Sequence, residues 1–177
     1  MDEIDLKLLT MLQANARTTN AELARQVGLA PSSTLERVRR LEERGIIRGY
    51  RAVVDPRAMG YRVQAVVMVN LRGHQAEPID TFEEHVGVVP EVKLCLNVTG
   101  RYDYLLLVVA RDIDHLRRLV TRDLAAIPGV QKQETFLVLA IAKEQHALAV
   151  PDEDEGRETR RAGRGRAAGS KPSERGI

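Results

Sequence analysis

Residues 19–44 decide the fold of the N-terminal part of the chain, and they read TNAELARQVGLAPSSTLERVRRLEER. Thr19 and Glu22 have the spacing of a capping box, in which the first side chain caps the helix and the second reaches back. Gly28 stands where a helix end favours a left-handed residue, and Pro31 suits the first turn of a second helix. The stretch therefore predicts two short helices joined by a tight turn.

The second predicted helix is amphipathic and rich in arginine. Leu35, Val38 and Leu41 recur at helical spacing, so they predict the face that packs on the rest of the domain. A helix–turn–helix unit uses such a helix to enter the major groove of DNA. The predicted base contacts are Ser32, Ser33, Thr34, Arg37 and Arg40, and the predicted phosphate contacts are Arg25, Arg39, Arg44 and Arg48. Two other interpretations fit the same pattern, namely a solvated basic surface and a helical bundle without a binding role.

The flanking sequence extends this unit on both sides. Apolar residues recur with helical spacing ahead of it, at Ile4, Leu8, Met11 and Leu12. They predict a first helix over residues 2–15. The run IIRGYRAVV at 46–54 has the composition of a β-strand. Three helices followed by a strand are the plan of a winged helix–turn–helix domain, which we expect at residues 1–50, with a linker strand at 51–60.

The next part of the chain, residues 61–148, shows a repeated pattern of strands and helices. Strand-like runs occupy 62–71, 92–98, 102–110 and 133–141, and helical patterns occupy 78–85 and 113–124. Pro90 and Pro128 each separate a helix from the following strand, because proline disfavours helix before it and is excluded from central strands. The order β-α-β-β-α-β is that of a ferredoxin-like sandwich, so the expected fold class of the whole chain is α+β.

Two of these predicted strands are apolar on both sides. AVVMV at 65–69 and LLLVV at 105–109 do not alternate with polar residues, as a strand with one solvated face would. A ferredoxin-like sheet carries helices on one face only, so its other face needs a cover. We expect a second copy of the chain to supply it, and the alternative is a terminal segment of the same chain.

Residues 99–104, TGRYDY, predict a hairpin turn between two strands. Gly100 tolerates positive φ, which lets backbone N–H groups approach an anion, and Asp103 adds a carboxylate beside them. An amino-acid ligand needs both groups, because its carboxylate requires donors and its ammonium requires an acceptor. Ordinary hairpin chemistry, in which the aspartate bonds the turn backbone, explains the same residues.

These motifs together resemble the Lrp/AsnC family of bacterial and archaeal transcription regulators. The segments that carry the resemblance lie, in the family's order, at 4–9, 22–24, 27–29, 35–42, 45–47, 99–104 and 127–130. Ala30 departs from the family pattern, which commonly has a serine there as helix cap. Ser32 or Ser33, with Glu36 following, is expected to take over that cap and to shift the helix start by a residue or two.

The resemblance implies a sequence-specific, DNA-binding transcriptional regulator that is modulated by a small effector, an amino acid. It also implies sheets that pack face to face across a two-fold axis, with dimers assembling into tetramers or octamers. The family's effector cleft lies between subunits, and the corresponding residues here are Gly100, Arg101, Tyr102, Asp103, Glu134 and Thr135. Arg101 stands where the family often has a small or acidic residue. Its guanidinium would either anchor a carboxylate or fill the cleft and leave a regulator without an effector.

Composition argues against several other classes. The 27 basic and 25 acidic residues nearly balance, so the local arginine cluster, and not the net charge, favours DNA. Cys95 is the one cysteine, which excludes an internal disulfide and favours a reducing cytoplasm. No apolar run reaches transmembrane length and no secretory signal opens the chain, so we expect a cytoplasmic protein that does not contact a membrane.

Catalytic and metal-binding patterns are not found in the sequence. The histidines lack the spacing of metal ligands and are expected at the surface, at His74, His85, His115 and His146. The chain has neither a glycine-rich phosphate loop nor a recognisable Ser/His/Asp arrangement. We therefore expect no enzyme, no cofactor and no metal site.

The last segment, residues 149–177, changes in composition. Acidic residues at 152–155 precede a run rich in Arg, Gly, Ala and Ser with almost no large apolar side chain, which predicts a disordered charged tail. Such a tail either adds non-specific phosphate contacts or only increases solubility. Two alternative functions stay open. One is an architectural, nucleoid-type DNA binder with little sequence preference and no effector, and the other is a ferredoxin-like small-molecule binder or enzyme whose N-terminal domain only dimerises.

Overall fold

The computed structural model describes residues 1–72, 76–145 and 147–149. It divides into two compact units. The N-terminal unit comprises Met1–Arg51 together with the described residues from Gln145 onward, and the second unit comprises Ala52–Glu144. The disordered tail predicted at 149–177 lies, apart from its first residue, outside the described residues.

The N-terminal unit is built on three helices, α1 (Glu3–Ala14), α2 (Asn20–Val27) and α3 (Pro31–Glu43), as the sequence predicts. Their apolar faces meet in a small core. Its buried members are Leu8, Leu12 and Leu23, and Ile4, Met11, Val27, Val38 and Ile47 pack against them. Gln13 in α1 also holds the end of the described chain, because its side-chain amide exchanges hydrogen bonds of 2.7 and 3.3 Å with the backbone of Leu148.

The helix ends differ from the prediction in their capping. Thr19 caps α2 and accepts a 3.3 Å hydrogen bond from the backbone N–H of Glu22, but the Glu22 carboxylate binds Arg25 instead of reaching back. The predicted capping box is therefore only half formed. A complete capping box starts α1, where Asp2 and Asp5 each accept a hydrogen bond from the other's backbone N–H.

The turn between α2 and α3 follows the prediction at Gly28, whose φ of 70° ends α2 in the left-handed conformation. Helix α3 begins at Pro31 with Ala30 as its N-cap, and no side chain caps it. The prediction that Ser32 or Ser33 takes over the cap is wrong, because the proline itself starts the helix and both serines lie inside its first turn.

The buried face of α3 is centred on Thr34 and Leu41, which are 0 % and 2 % exposed, and Val38 is half-buried between them. Leu35, predicted on this face, is 40 % exposed. Thr34 is tolerated inside because its hydroxyl donates a 3.1 Å hydrogen bond to the carbonyl oxygen of Ala30. The helix is thus rotated relative to the prediction, with Thr34 instead of Leu35 against the core.

The strands predicted at 46–54 and 51–60 are absent, because the described residues 44–62 contain no strand. A strand needs a hydrogen-bonded neighbour, and none of the described strands pairs with this stretch. The chain turns there instead, and the N–H of Tyr61 donates a 2.9 Å hydrogen bond to the carbonyl oxygen of Pro56. Local composition alone could not supply a pairing partner.

The described residues of the second unit contain four strands and two helices in the predicted order. Its elements are β1 (Val63–Leu71), α4 (Ala76–Gly87), β2 (Val92–Asn97), β3 (Tyr104–Ala110), α5 (Ile113–Arg118) and β4 (Val130–Leu137). Helix α5 continues into a wider π-helical turn over Leu119–Leu124. The strands form one antiparallel sheet in the order β2-β3-β1-β4. The α+β, βαββαβ prediction is confirmed, although β4 lies several residues upstream of its predicted position at 133–141.

The two faces of this sheet have different surroundings. Toward the helices, Val67 and Leu106 are fully buried and pack with Phe82 of α4 in the main core. On the opposite face, apolar side chains stay accessible, and the most exposed are Leu94, Leu96 and Phe136, at 44 %, 42 % and 52 %. No helix of the described chain joins the core from that side. We call it the open face of the sheet.

Candidate DNA-binding helix and effector turn

Helix α3 presents a polar outer surface that contains most of the predicted contact residues. Ser32 and Ser33 are exposed in its first turn. Four predicted contact arginines are exposed as well, and none of them forms an ion pair with another described residue: Arg39, Arg40, Arg44 and Arg48. Unpaired guanidiniums suit phosphate and guanine recognition, because each offers several N–H donors in a planar fork.

Thr34 does not belong to this surface. Its side chain is fully buried and its hydroxyl is bonded to the Ala30 carbonyl oxygen, so no donor is left to reach a base. The predicted groove contact at Thr34 is therefore wrong. A hydroxyl that is satisfied within its own helix can serve as a core residue, and sequence spacing does not reveal this.

Arg37 is likewise turned away from the outer surface, with a side chain that is 22 % exposed. Its Nη1 atom lies 2.7 Å from Asp2 Oδ2 and 2.8 Å from Asp5 Oδ1, so one guanidinium bridges two carboxylates at the start of α1. The Asp5 side chain is only 13 % exposed. The predicted base contact of Arg37 does not agree with this arrangement, because both carboxylates would first have to be released.

These contacts shift the protonation equilibria in the direction expected for charged partners. The backbone N–H of Asp5 and the Arg37 side chain lower the pKa of the Asp2 carboxyl from its ordinary value of 3.8. Hydrogen bonds to the two carboxylates raise the pKa of Arg37. A recess of about 320 Å³ opens beside the cluster, and its lining consists of Met1, Asp2, Asp5, Arg37, Arg40, Leu41 and Arg44. Asp2 and Arg37 therefore stay ionised at neutral pH.

The turn at 99–104 is fixed to the sheet by Asp103. Its Oδ2 atom accepts a 2.8 Å hydrogen bond from the backbone N–H of Leu71, and its own N–H donates a 3.0 Å hydrogen bond to the carbonyl oxygen of Val69. Gly100 has a φ of 118°, which side-chain-bearing residues rarely adopt. The Asp103 contacts agree with the turn-fixing interpretation of this residue.

The Glu134 carboxylate lies close to the same turn and contacts three donor side chains. Tyr102 Oη donates a 2.6 Å hydrogen bond to Glu134 Oε2, while Lys132 Nζ and Arg101 Nη2 lie 2.7 and 3.5 Å from Oε1. The Arg101 guanidinium also lies 5.4 Å from the centroid of the Tyr102 ring. Lys132 and Tyr102 lower the pKa of Glu134, and the hydrogen bond to Glu134 raises the pKa of Tyr102. Three of the predicted effector residues thus lie together.

Thr135 lies on the other side of β4 from this cluster. It pairs with Val67 of β1, which faces the helices, whereas Glu134 pairs with Met68 on the open face. Neighbouring residues of a strand point to opposite faces, so Thr135 does not join Glu134 in this cluster. The same periodicity identifies Lys132, two residues before Glu134, which the sequence-based prediction missed.

Asn70 is a second residue that the prediction missed. Its Nδ2 atom donates a 3.1 Å hydrogen bond to the carbonyl oxygen of Arg101, and it pairs in register with Lys132. Its Oδ1 atom is buried and accepts no hydrogen bond from the described part of the chain. Asn70 therefore links the end of β1 to the turn. The available signal was an amide near the end of the strand, directly after the apolar run at 65–69.

Comparison with known proteins identifies the family of this chain. The family described as Lrp/AsnC ligand binding domain matches residues 64–148, and a winged helix-turn-helix DNA-binding family matches residues 1–48. The leucine-responsive regulatory protein of Haemophilus influenzae is 33% identical over 150 residues, which cover 85% of this chain and 90% of that protein. The chain belongs to the Lrp/AsnC family.

Further relatives of this Lrp/AsnC protein agree. Transcriptional regulator AzlB of Bacillus subtilis is 33% identical over 151 residues, covering 85% of this chain and 95% of that one. A Neisseria meningitidis transcriptional regulator in complex with L-Met has a TM-score of 0.79 at 35% identity, covering 84% and 96%. AsnC of E. coli has a TM-score of 0.76 at 31% identity, covering 83% and 97%. The protein is a DNA-binding transcriptional regulator, and this part of the function predicted from its sequence is confirmed.

Within the described ranges, this Lrp/AsnC protein contains two of its histidines and other possible metal ligands. Among the described residues, no group of three or more His, Cys, Asp or Glu is arranged to hold a metal ion, and no described helix is both long and apolar enough to span a membrane. His85 is exposed, but His115 is not the surface residue that was predicted: its side chain is 17% exposed and its Nε2 lies 3.4 Å from Glu91 Oε1. His74 and His146 lie outside the described residues.

Proposed function

We propose that α3 is the recognition helix of this regulator and that Ser32, Ser33 and Arg40 contact base edges. The observation that carries the proposal is a row of exposed side chains on α3 that combines first-turn serines with an unpaired guanidinium. Arginine is suited to guanine because its planar fork can donate to O6 and N7 together. Arg39 and Arg44, with Arg48 beyond the helix, are proposed phosphate contacts on the same grounds of exposure and lack of a described ion-pair partner.

The DNA-binding assembly is proposed to be a dimer formed through the open face of the sheet. Leu94 and Phe136 lie in one cross-strand row of that face with Val66 and Leu107. A contiguous apolar patch of this kind is typical of an interface. Two-fold symmetry then predicts a pseudo-palindromic operator whose half-sites are separated by whole helical turns of about 34 Å. Assembly of dimers into tetramers or octamers is part of the same proposal.

The effector is proposed to be an amino acid that binds beside Gly100, at the cluster of Arg101, Tyr102, Glu134 and Lys132. The relative from Neisseria meningitidis was solved with L-Met, which supports an amino acid as the class of ligand. Because Asp103 fixes the turn, Glu134 becomes the carboxylate for the ligand ammonium. Arg101 is 74 % exposed and accessible to the ligand carboxylate.

Effector binding is proposed to act by favouring one assembly state over another, since a ligand shifts an equilibrium only through different affinities for two states. The ligand ammonium competes with Lys132 and Tyr102 for Glu134. Glu134 pairs with Met68 on the open face, so this exchange alters the surface through which two copies would meet. The protein is proposed to work in the cytoplasm, where its DNA target lies.

Fluorescence anisotropy on DNA from upstream of the protein's own gene tests the DNA contacts, with a scrambled duplex of equal length as control. Arg40→Ala is expected to weaken binding to the native fragment about tenfold, because a bidentate base contact is lost. Arg111→Ala, which removes an exposed arginine of the second unit, is expected to leave it unchanged. Equal affinity of the wild-type protein for both duplexes would instead support an architectural DNA binder.

Thermal unfolding in the presence of single amino acids tests the effector. We expect one of them, or a small chemical class, to raise the unfolding midpoint and to change the affinity for DNA. A complete panel without either effect would contradict the effector proposal and leave the DNA-binding proposal intact.

A further inference from the structure

Neither base recognition nor phosphate recognition explains the position of the bridge from Arg37 to Asp2 and Asp5 in the DNA-binding unit. It joins the middle of α3 to the first turn of α1. Asp2 and Asp5 are themselves tied together by the capping box, through hydrogen bonds of 3.1 and 2.9 Å. The guanidinium therefore binds a preformed pair of carboxylates, and not two independently mobile side chains.

The bridge lies on the same flank of α3 as two proposed base contacts. Residues three and four positions apart are neighbours on a helix surface, so Ser33 and Arg40 lie on either side of Arg37. A small rotation of α3 about its axis would move both contacts together relative to the groove. Packing supplies part of the restraint, through the buried Thr34 and Leu41 and the half-buried Val38, and the bridge adds a charged contact between them along the helix.

We propose that Arg37 is a positioning residue for DNA recognition: its bridge to Asp2 and Asp5 fixes the rotation of α3, and its guanidinium does not itself contact DNA. The proposal rests on the base contacts of Ser33 and Arg40 proposed above. It reverses the role that the arginine-rich sequence of α3 predicts for this residue.

The two possible roles of Arg37, contacting DNA or positioning α3, predict opposite changes in DNA affinity when an acidic residue of the bridge is neutralised. If Arg37 contacts DNA, neutralising Asp5 releases the guanidinium and removes a negative charge near the phosphates, so binding tightens. If Arg37 positions α3, neutralising Asp5 breaks one half of the bridge, and specific binding weakens despite the more positive charge. Asp5→Asn keeps the size and polarity of the side chain, so the direction of its effect separates the roles.

The test titrates the full-length protein with a duplex that it prefers, selected from a random pool, and with a scrambled duplex. For Asp5→Asn we expect affinity for the preferred duplex to fall about tenfold and affinity for the scrambled duplex to stay unchanged. Arg37→Gln is expected to lower affinity for the preferred duplex by the same factor. Combining both substitutions is expected to weaken binding no further than either alone, because both break the same bridge.

Glu43→Gln is the matched control, because it neutralises an exposed acid at the end of α3 without touching the bridge. It is expected to leave affinity for the preferred duplex unchanged or to increase it. Salt dependence adds a readout that distinguishes positioning from a lost phosphate contact. Arg37→Gln is expected to keep the wild-type slope of log affinity against log salt, whereas loss of a phosphate contact lowers that slope by about one.

Asp2→Asn provides a second variant at the more exposed end of the bridge, where the side chain is 54 % exposed, should Asp5→Asn fail to fold. Tighter or unchanged binding of the preferred duplex by the aspartate variants, or a reduced salt slope in Arg37→Gln, would overturn the proposal. A parallel fall of both affinities in both aspartate variants would overturn it too, because a change confined to the base contacts spares the sequence-independent binding to phosphates. If the proposed base contact fails instead, Arg40→Ala leaves affinity unchanged while Asp5→Asn still weakens it.

Discussion

Two charged clusters in this protein have opposite ratios of acid to base. In the N-terminal unit one guanidinium, that of Arg37, serves two carboxylates, whereas in the second unit one carboxylate, that of Glu134, serves three donors. Their accessibility differs as well. The Arg37 guanidinium at the centre of the first cluster is 22 % exposed, with Asp5 at 13 % and Asp2 at 54 %. The Glu134 carboxylate at the centre of the second is 30 % exposed, and its partners Arg101 and Lys132 are 74 % and 54 % exposed.

The difference indicates which cluster maintains the fold and which can exchange partners. An exposed ion pair contributes little, because water competes for both ions, so a ligand ammonium can displace Lys132 from Glu134 at low cost. A carboxylate as inaccessible as that of Asp5 cannot lose its guanidinium so readily, because the remaining charge would be poorly hydrated. We therefore interpret the first cluster as a fixed element of the DNA-binding unit and the second as an exchangeable binding site.

The largest expected effect concerns a third carboxylate, Asp103, which lies beside the exchangeable cluster but is fixed. Asp103→Ala leaves the part-buried N–H of Leu71 without its acceptor and is expected to lower the free energy of unfolding by about 1–3 kcal/mol. Asp103→Asn retains an acceptor oxygen and is expected to lose less. Urea unfolding measures both variants. Wild-type stability in Asp103→Ala would show that this carboxylate does not hold the turn.

The next effect tests the exchange itself at Glu134. Glu134→Gln is expected to lower affinity for the effector about tenfold or more, because a neutral amide lacks the charge that pairs with an ammonium. Its unfolding midpoint without ligand should stay near that of the wild type, since both cationic partners of Glu134 are more than half exposed. Isothermal titration with the amino acid found by thermal unfolding measures the first quantity.

Glu84→Gln is the control for this experiment, because it removes an exposed acid of α4 outside the cluster. It is expected to bind the effector like the wild type. Wild-type effector affinity in Glu134→Gln would place the effector elsewhere. The cluster around Glu134 could then not be interpreted as an exchangeable binding site.

Sequence periodicity was sufficient for most of the fold. Helical spacing and strand-like runs gave the three helices and the βαββαβ order, because each pattern is a local property of consecutive residues. The strands expected within 46–60 are not formed, since a strand depends on a neighbour that local sequence does not specify. Thr34 and Leu35 exchanged roles, because a threonine hydroxyl bonded within its own helix behaves as an apolar group.

The candidate sites were harder to predict, because they depend on partners that are distant in sequence. Arg37 and Arg40 look equivalent in the sequence, and only the position of Asp2 and Asp5 separates a bridged arginine from an exposed one. Lys132, by contrast, was within reach of prediction. Strand alternation places Lys132 on the same face as Glu134, and the same rule places Thr135 on the opposite face.

A smaller effect concerns the pH dependence of the fixed cluster. The pKa of Asp2 is lowered in the folded protein, so its contribution is fully present above the unfolded pKa, near 3.8, and is lost as pH falls through the lowered folded pKa. We expect wild-type stability to decline on acidification toward pH 3 more steeply than that of Asp2→Asn or Arg37→Gln. The pKa of Glu134 is also lowered, but that residue is present in all three proteins and cancels in their differences.

Urea unfolding midpoints at pH steps from 7 to 3 measure this difference, with the pH range chosen to bracket the ordinary carboxyl pKa. Parallel plots of unfolding midpoint against pH for the three proteins would mean that the bridge does not make the pKa of Asp2 differ between the folded and unfolded chains. The comparison between a fixed and an exchangeable cluster would then rest on accessibility alone.

The smallest expected effects are changes in effector affinity on substituting Arg101 or Lys132, the two cations that contact Glu134. The direction of each change is more informative than its size. Arg101→Gln is expected to weaken effector binding by about twofold to fivefold if the guanidinium anchors the ligand carboxylate, an exposed charge-assisted contact. It would tighten binding if the side chain only fills the cleft. Lys132→Gln is expected to tighten binding, because its ammonium competes with that of the ligand for the same oxygen, 2.7 Å away.

Opposite signs in these two variants, measured by the same titration, would establish that Glu134 exchanges one partner for another while Arg101 recognises the other end of the ligand. Equal losses in both would indicate a general attraction of the positive cluster for an anion. Neither substitution should move the unfolding midpoint, since both side chains are more than half exposed. That insensitivity is what distinguishes an exchangeable cluster from the bridge at Arg37, where binding and stability are expected to change together.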